Sequence, residues 1–393
     1  MANLSTLELL QPQVIVDTIS KIHVGKGPLS RLMKWEIGSG SIKQIPTRFA
    51  SFRIFNQTRA PATFRAPGTG PAVITPNPVG EQRFMMARMH EKMVFGNEFL
   101  GNISKIGGPN AEIDKGGAEY VAEQMQYVAH RFNRGVEVIT AGFFRGNLYL
   151  QNLGQDQLLP ALSAPSGAYI TIPFGLPAGN TLQLNMLGTG NIIDISWASP
   201  ASNIIKHILQ VRSAMVQLTG LQLKCLVMSS VTFNYVINNI SVRTVGGLVQ
   251  TPFDYYTMDV AKDEKGVPIA GLMRANIRAI PWIDIYIVDD VLSLGGDLDY
   301  INTGNNVGTL TQVVPDNYVI FMPEPSTVWA QMCHGGEYIA ENEAVSSLQL
   351  KTGLSAWKSF TREPSAMAIV SLLNLLPVPY LEKAWCYGQI AGF

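Results

Sequence analysis

Apolar residues step by three and four through AEYVAEQMQYVAHRFNRGVEVITAG. Ala118, Val121, Met125, Val128, Phe132, Val136 and Ile139 make one stripe, with Glu119, Glu123, Gln126, His130 and Arg134 opposite. That period predicts one long helix, from about Ala111 to Ala141, with Val121, Met125, Val128, Phe132, Val136 and Ile139 as its core side. The stripe crosses Gly135 unbroken, and Gly116 and Gly117 are expected to kink the first turn. At 1.5 Å per residue the helix is about 45 Å long. FRGNLYLQN (144–152) then reads as a strand.

From about residue 160 the elements shorten and alternate. Ser199 as cap and Pro200 as first residue open a second helix, with Ile204, Ile208, Val211, Met215 and Leu218 inward and Gly220 ending it. LQLKCLVMSS, WIDIYIVDD and NYVIFM read as buried strands, so this part is a compact α/β unit. The last 28 residues are apolar around Pro377-Val378-Pro379, which predicts two strands joined by a turn and returning to an earlier sheet.

The first 95 residues break these patterns. Residues 1–40 are weakly patterned and end in GSGS, which predicts a draped terminal arm. Between 41 and 95, IPTRFASFRIF and RFMMARMHEKMVF are β-prone and predict the two legs of a long ribbon. Between them lies a stretch with Pro67, Pro71, Pro76 and Pro78 and no helical stripe. A two-stranded ribbon is marginal in water and needs something to lie on.

Charge sharpens that picture. Lys43, Arg48, Arg53, Arg59, Arg65, Arg83, Arg88 and Lys92 face only Glu81 and Glu91, so residues 41–95 carry +6 in a chain whose net charge is zero, and the rest carries −6. Arg53, Arg59, Arg65, Pro67, Pro71, Pro76, Pro78, Arg83 and Arg88 are therefore expected to touch the acidic surface of an identical subunit, the prolines lowering the cost of ordering the arm. Only 15% of residues are charged while 47% are hydrophobic, and an ordinary soluble domain has about 25% charged. Too few solvated groups remain to cover a monomer, which predicts an oligomer.

The balance also lacks the basic excess of a phosphate-gripping protein. No apolar run reaches the length of a membrane span, and a start containing Glu8 and Asp17 does not read as a secretory signal. Cys225, Cys333 and Cys386 are too few for a disulfide framework, which fits a reducing cytoplasm.

No catalytic layout is present: neither a nucleophile elbow nor a phosphate loop occurs. GTGNIID (188–194) falls short of a dinucleotide fingerprint, and Cys333-His334 alone does not make a zinc site. His23, His90, His130 and His207 are isolated in sequence. Asp289 and Asp290, near Asp297 and Asp299, read as a solvated strand end rather than a calcium loop. No catalytic residue, cofactor or metal is expected.

The order of parts resembles the major capsid protein E family of tailed phages, typified by phage lambda's. The segments that carry the likeness are VITPNPV before a basic strand, NRGVEVITAG, WASPASNI, VVPDNYVIFMP and IVSLLNLLPVPYLEKAWCYGQIAGF. Residues 323–345, with QMCHGGEYIAENEA, have no counterpart in the family.

The resemblance implies an α+β chain of the Hong Kong 97 capsid fold: an N-arm (1–40), an E-loop (41–95), a peripheral domain (96–160 and 345–393) and an axial domain (161–344). It also implies a non-enzymatic virion protein, assembled in the host cytoplasm into hexamers and pentamers around weakly held double-stranded DNA. Scaffolding, portal and decoration proteins are its implied partners; no membrane is. An encapsulin-like cargo shell, and a cytoplasmic α/β enzyme with the hairpin as lid, are the alternatives.

Overall fold

The structure is a computed structural model that describes residues 26–54, 80–96, 115–154, 157–167, 169–245, 248–249, 255–263, 266–294, 309–340, 348–361 and 366–393. Two sheets and one long helix organise it, a mixed α and β architecture. The helix spans Lys115–Arg145, about one turn later at each end than its apolar stripe predicts. It stops where Gly146 takes a left-handed φ of 87°, a conformation that glycine adopts without strain. Met125, Val128, Phe132, Val136 and Ile139 are buried as expected; the side chain of Val121 lies outside the described residues. A Cβ on Gly135 would meet the sulfur of Met89, so the helix lies close upon the strand beneath it.

That strand, Ala87–Gly96, belongs to a six-stranded sheet built around Ala366–Pro379. Ala366–Pro379 pairs antiparallel with Ala87–Gly96 along one edge, and with Ser355–Thr361 and then Ala330–Ala340 along the other. Lys43–Ile45 runs parallel to Ala330–Ala340, and Leu348–Thr352 folds back on it.

Two expectations change here. Pro377-Val378-Pro379 is not a turn but the end of the long strand, with Pro377 opposite Met332 and Pro379 opposite Ala330. Pairing with Ala87–Gly96 stops at Leu375, so the two prolines, on the same edge, remove no ladder bond. And Ala330–Ala340, expected within the axial part ending at 344, lies inside the sheet under the long helix.

The second sheet has seven strands, in the order Tyr256–Lys262, Pro268–Ile277, Asp284–Val288, Cys225–Met228, Tyr318–Met322, Cys386–Gln389 and Thr181–Leu182. The three buried runs legible in the sequence are its central strands. Ile204–Thr219 packs over it with Ile204, Ile208, Val211 and Met215 buried, and Gly220 caps its C-terminus. The helix starts four residues after the expected Pro200, because the Asn203 side chain accepts from the Lys206 N–H and fixes the first turn there. The tail supplies a strand to each sheet and so ties the two together.

The N-terminal expectation also changes. Residues from Pro28 to Ile37 are no draped arm: Leu29, Met33, Trp35 and Ile37 are buried in the core. Pro28–Leu32 forms a short helix whose first N–H groups, at Leu29 and Ser30, donate to the buried Glu137 carboxylate, each at 2.8 Å. Gly27 leaves room for that carboxylate.

Candidate functional site: the root of the ribbon

Phe49–Ile54 and Gly80–Met85 pair antiparallel, Phe49 opposite Met85 and Ile54 opposite Gly80, so a ribbon is present, but its returning leg is not the expected RFMMARMHEKMVF, most of which is the sheet strand Ala87–Gly96. Among the described residues no third strand joins them. The returning leg then leaves the ribbon: after Met86 the chain enters the six-stranded sheet as Ala87–Gly96. The ribbon therefore meets the subunit at two crossings, Pro46–Arg48 going out and Met86–Arg88 coming back.

Both crossings are fastened to Ala330–Ala340. Gly335 and Gly336 allow the close approach, since a Cβ on Gly335 would sit 2.8 Å from the Thr47 carbonyl and one on Gly336 3.0 Å from that of Pro46. The Met86 N–H donates to the Arg48 carbonyl at 3.0 Å, and Met86 and Ala50 are buried. Beyond the glycines, Glu337, 7% exposed, reaches both crossings. One of its oxygens accepts from Arg48 and from Arg88, the latter at 3.1 Å; the other accepts from the Asn374 amide at 3.1 Å. A single buried carboxylate thus staples each leg with a charge-assisted hydrogen bond, the stronger kind.

Glu337→Gln keeps the size of the side chain and removes its charge. We expect the amides of residues 49–54 and 80–85 to exchange with solvent about 10- to 100-fold faster in this variant, from loss of about 1.5–3 kcal/mol of local stability. Unchanged exchange by mass spectrometry would mean the staple does not hold the ribbon.

Of the residues expected at a subunit contact, Arg88 is engaged within its own chain by Glu337, and Arg83 lies over the Phe49 ring at 4.5 Å. Arg53 is in the outgoing leg, its side chain outside the described residues. Arg59, Arg65, Pro67, Pro71, Pro76 and Pro78 also lie outside them. Phe49 and Met85, at the ribbon base, are 42% and 56% exposed. Glu337 escaped the sequence reading because 289 residues separate it from Arg48; the glycine pair before it was the one local signal.

The remaining candidates for chemistry resolve into structure. His207 is not isolated: it accepts from the Trp197 indole N–H at 3.1 Å and meets Asp194 at 2.9 Å, so Asp194 of GTGNIID braces a loop. Burial lowers the His207 pKa and the Asp194 partner opposes it. Cys225, Cys333 and Cys386 are buried free thiols, the first two pushed up by burial to about 12 and about 11. Asp289 accepts from the Ser230 N–H at 2.8 Å and Asp290 pairs with Arg134; Asp297, Asp299 and His23 lie outside the described residues. Among the described residues no group of three or more His, Cys, Asp or Glu is placed to hold a metal, and no helix is long and apolar enough to cross a membrane.

No family model and no curated protein matches the chain. Solved structures do match, over nearly its whole length. A phage-related protein from Bordetella bronchiseptica superposes with a TM-score of 0.49 at 9% identity, covering 97% of each chain. A putative prophage capsid protein from E. coli gives 0.45 at 9%, covering 96% of this chain and 93% of the other. An encapsulin from Synechococcus elongatus gives 0.40 at 8%, covering 89% and 85%. These neighbours are phage-related, capsid and shell proteins.

Proposed function

We propose that the chain is a structural subunit that closes with copies of itself into a shell: the major capsid protein of a tailed-phage head, with the Hong Kong 97 fold. The observation that carries this is the ribbon, a two-stranded element fixed to its own subunit at the root and, among the described residues, paired with no third strand. Such a ribbon gains stability by lying on something else, and a chain with 15% charged residues has apolar surface to offer it. The resemblance in sequence supplies the particular shell, made of hexamers and pentamers around double-stranded DNA. In this reading residues before 26 form the N-arm, 41–86 the E-loop with its root, the sheet around Ala366–Pro379 and the long helix the peripheral domain, and the seven-stranded sheet the axial domain.

Light scattering and negative-stain microscopy of the purified chain should find hexamers, pentamers or shells. Nuclease-protected DNA inside would support a phage head, and a protein cargo a compartment. Deleting residues 63–79 should leave a folded subunit, by circular dichroism, that no longer forms shells; normal assembly by that variant would sink the ribbon's role.

A further inference from the structure

We infer that the sheet face bearing Arg88, His90 and Lys92 docks a second copy of the chain through that copy's Asp289 and Asp316 carboxylates. This rests on the shell reading above and names the surfaces that would meet.

Arg88, His90 and Lys92 alternate along one strand and so share a face, about 7 Å apart. Arg88 and Arg48 remain 45% and 54% exposed despite their shared partner. Among the described residues Arg48, Arg88 and Lys92 are three cations around the carboxylate of Glu337, whose partner across the sheet is a fourth cation, Lys351, so this face is basic. His90 stacks on Trp357 at 5.9 Å, and burial together with Arg88 lowers its pKa, so it adds no charge at neutral pH. The alternate positions, Met89 and Glu91, point to the long helix, where Glu91 pairs with Arg131 at 3.1 Å.

A matching deficit lies on the helix side of the sheet. Asp289 and Asp290 follow Asp284–Val288, and Asp316 precedes Tyr318–Met322. Among the described residues Asp289 takes the Ser230 N–H, and Asp316 takes the Ser229 hydroxyl at 2.7 Å and the Gln312 amide at 3.3 Å. These donors are neutral and satisfy the oxygens without balancing the charge. Three carboxylates stand against two guanidiniums, Arg134 paired with Asp290 and Arg145 bound to the Gln312 and Val313 carbonyls, which leaves this corner acidic by about one charge among the described residues.

Arg134 is on the long helix, so the six-stranded sheet separates the two charged faces within one subunit. Complementary surfaces on opposite sides of one molecule make head-to-tail contacts, which close into rings when the rotation permits. Charge complementarity there sets register and association rate. A nucleic-acid surface is disfavoured, because a small basic patch on a chain of zero net charge releases few counterions.

The test compares critical assembly concentrations of the full chain at low and high salt. Lys92→Glu is expected to raise the concentration about three- to tenfold at low salt and less at high salt. Asp289→Asn with Asp316→Asn, which keeps the acceptors of the Ser230 N–H and the Ser229 hydroxyl, should raise it similarly. Combining those two with Lys92→Gln should add nothing further, because both changes break one contact. Circular dichroism checks that each variant folds. Effects that multiply, or a Lys92→Glu variant that assembles like wild type, overturn the inference and leave the shell reading standing. Normal assembly with loss of retained double-stranded DNA would assign the face to polyphosphate and also overturn it. A wild-type chain that never assembles would remove the shell reading itself.

Discussion

Phe143→Ala is expected to destabilise the subunit by about 3–5 kcal/mol, the usual cost of deleting a buried aromatic ring. Phe143 is fully buried at the meeting of several parts of the chain. It stacks on Trp385 at 4.5 Å between ring centroids and meets Trp35 edge-on at 5.1 Å and Phe174 at 5.4 Å, with Trp329 at 6.3 Å. Those rings come from the N-terminal segment, the tail and the loops leading into both sheets, so no one element can shift to close the cavity. Offset and edge-to-face contacts add to the loss of buried area. Against a total stability of order 5–15 kcal/mol the change is large. Tyr127→Ala, at a ring 51% exposed on the same helix, should cost less than about 0.5 kcal/mol. Denaturant midpoints for the pair test this; a Phe143→Ala cost below about 1 kcal/mol would mean the aromatic cluster is not the keystone of the core.

That cluster also marks what the sequence can and cannot tell. The long helix and the strands Cys225–Met228, Asp284–Val288 and Tyr318–Met322 were legible because their period or apolar run is local. A ribbon and its outgoing leg were legible from β-prone flanks around prolines, but the returning leg was misplaced because RFMMARMHEKMVF is equally β-prone as a sheet strand. Trp35, by contrast, sits among Lys34, Glu36 and Gly38, and only its contact with Phe143, more than a hundred residues on, shows that the segment is core. Pro377 and Pro379 read as a turn because proline's preference is judged locally, whereas its tolerance in a strand depends on which neighbour is missing along that edge. The fastening of the ribbon was hidden for the same reason. Arg48 and Arg88 were visible as charges, but the carboxylate that holds both lies on a strand placed between them only by long-range pairing.

Two buried groups with opposite proton preferences should give the subunit a stability that responds to pH in a way neither group would produce alone. Glu137 is pushed up by burial from 4.5 to about 7, against the N–H donors of Ser30 and Leu29, with Asp290 raising it further. His334 is pushed down by burial from 6.5 to about 4, and its Nε2 has no hydrogen-bond partner among the described residues. Between pH 4.5 and 7 the folded chain holds a proton on Glu137 that the unfolded chain releases, so this contribution weakens as pH rises. Between pH 4 and 6.5 the unfolded chain holds a proton on His334 that the folded chain refuses, so that contribution strengthens as pH rises. Each is worth about 3 kcal/mol over its window, and the two nearly cancel where the windows overlap, from pH 4.5 to 6.5. Removing either group exposes the other. Relative to wild type, Glu137→Gln should lose about 3 kcal/mol more at pH 4.5 than at pH 7, on top of a pH-independent cost from the N–H it no longer satisfies. His334→Gln should move the other way, gaining about 3 kcal/mol on wild type as pH falls from 6.5 to 4. Urea denaturation at pH 4.5, 5.5 and 7 reads both differences, in which all other titrating groups drop out. Profiles that stay parallel to wild type would mean that neither group changes its affinity for the proton when the chain folds.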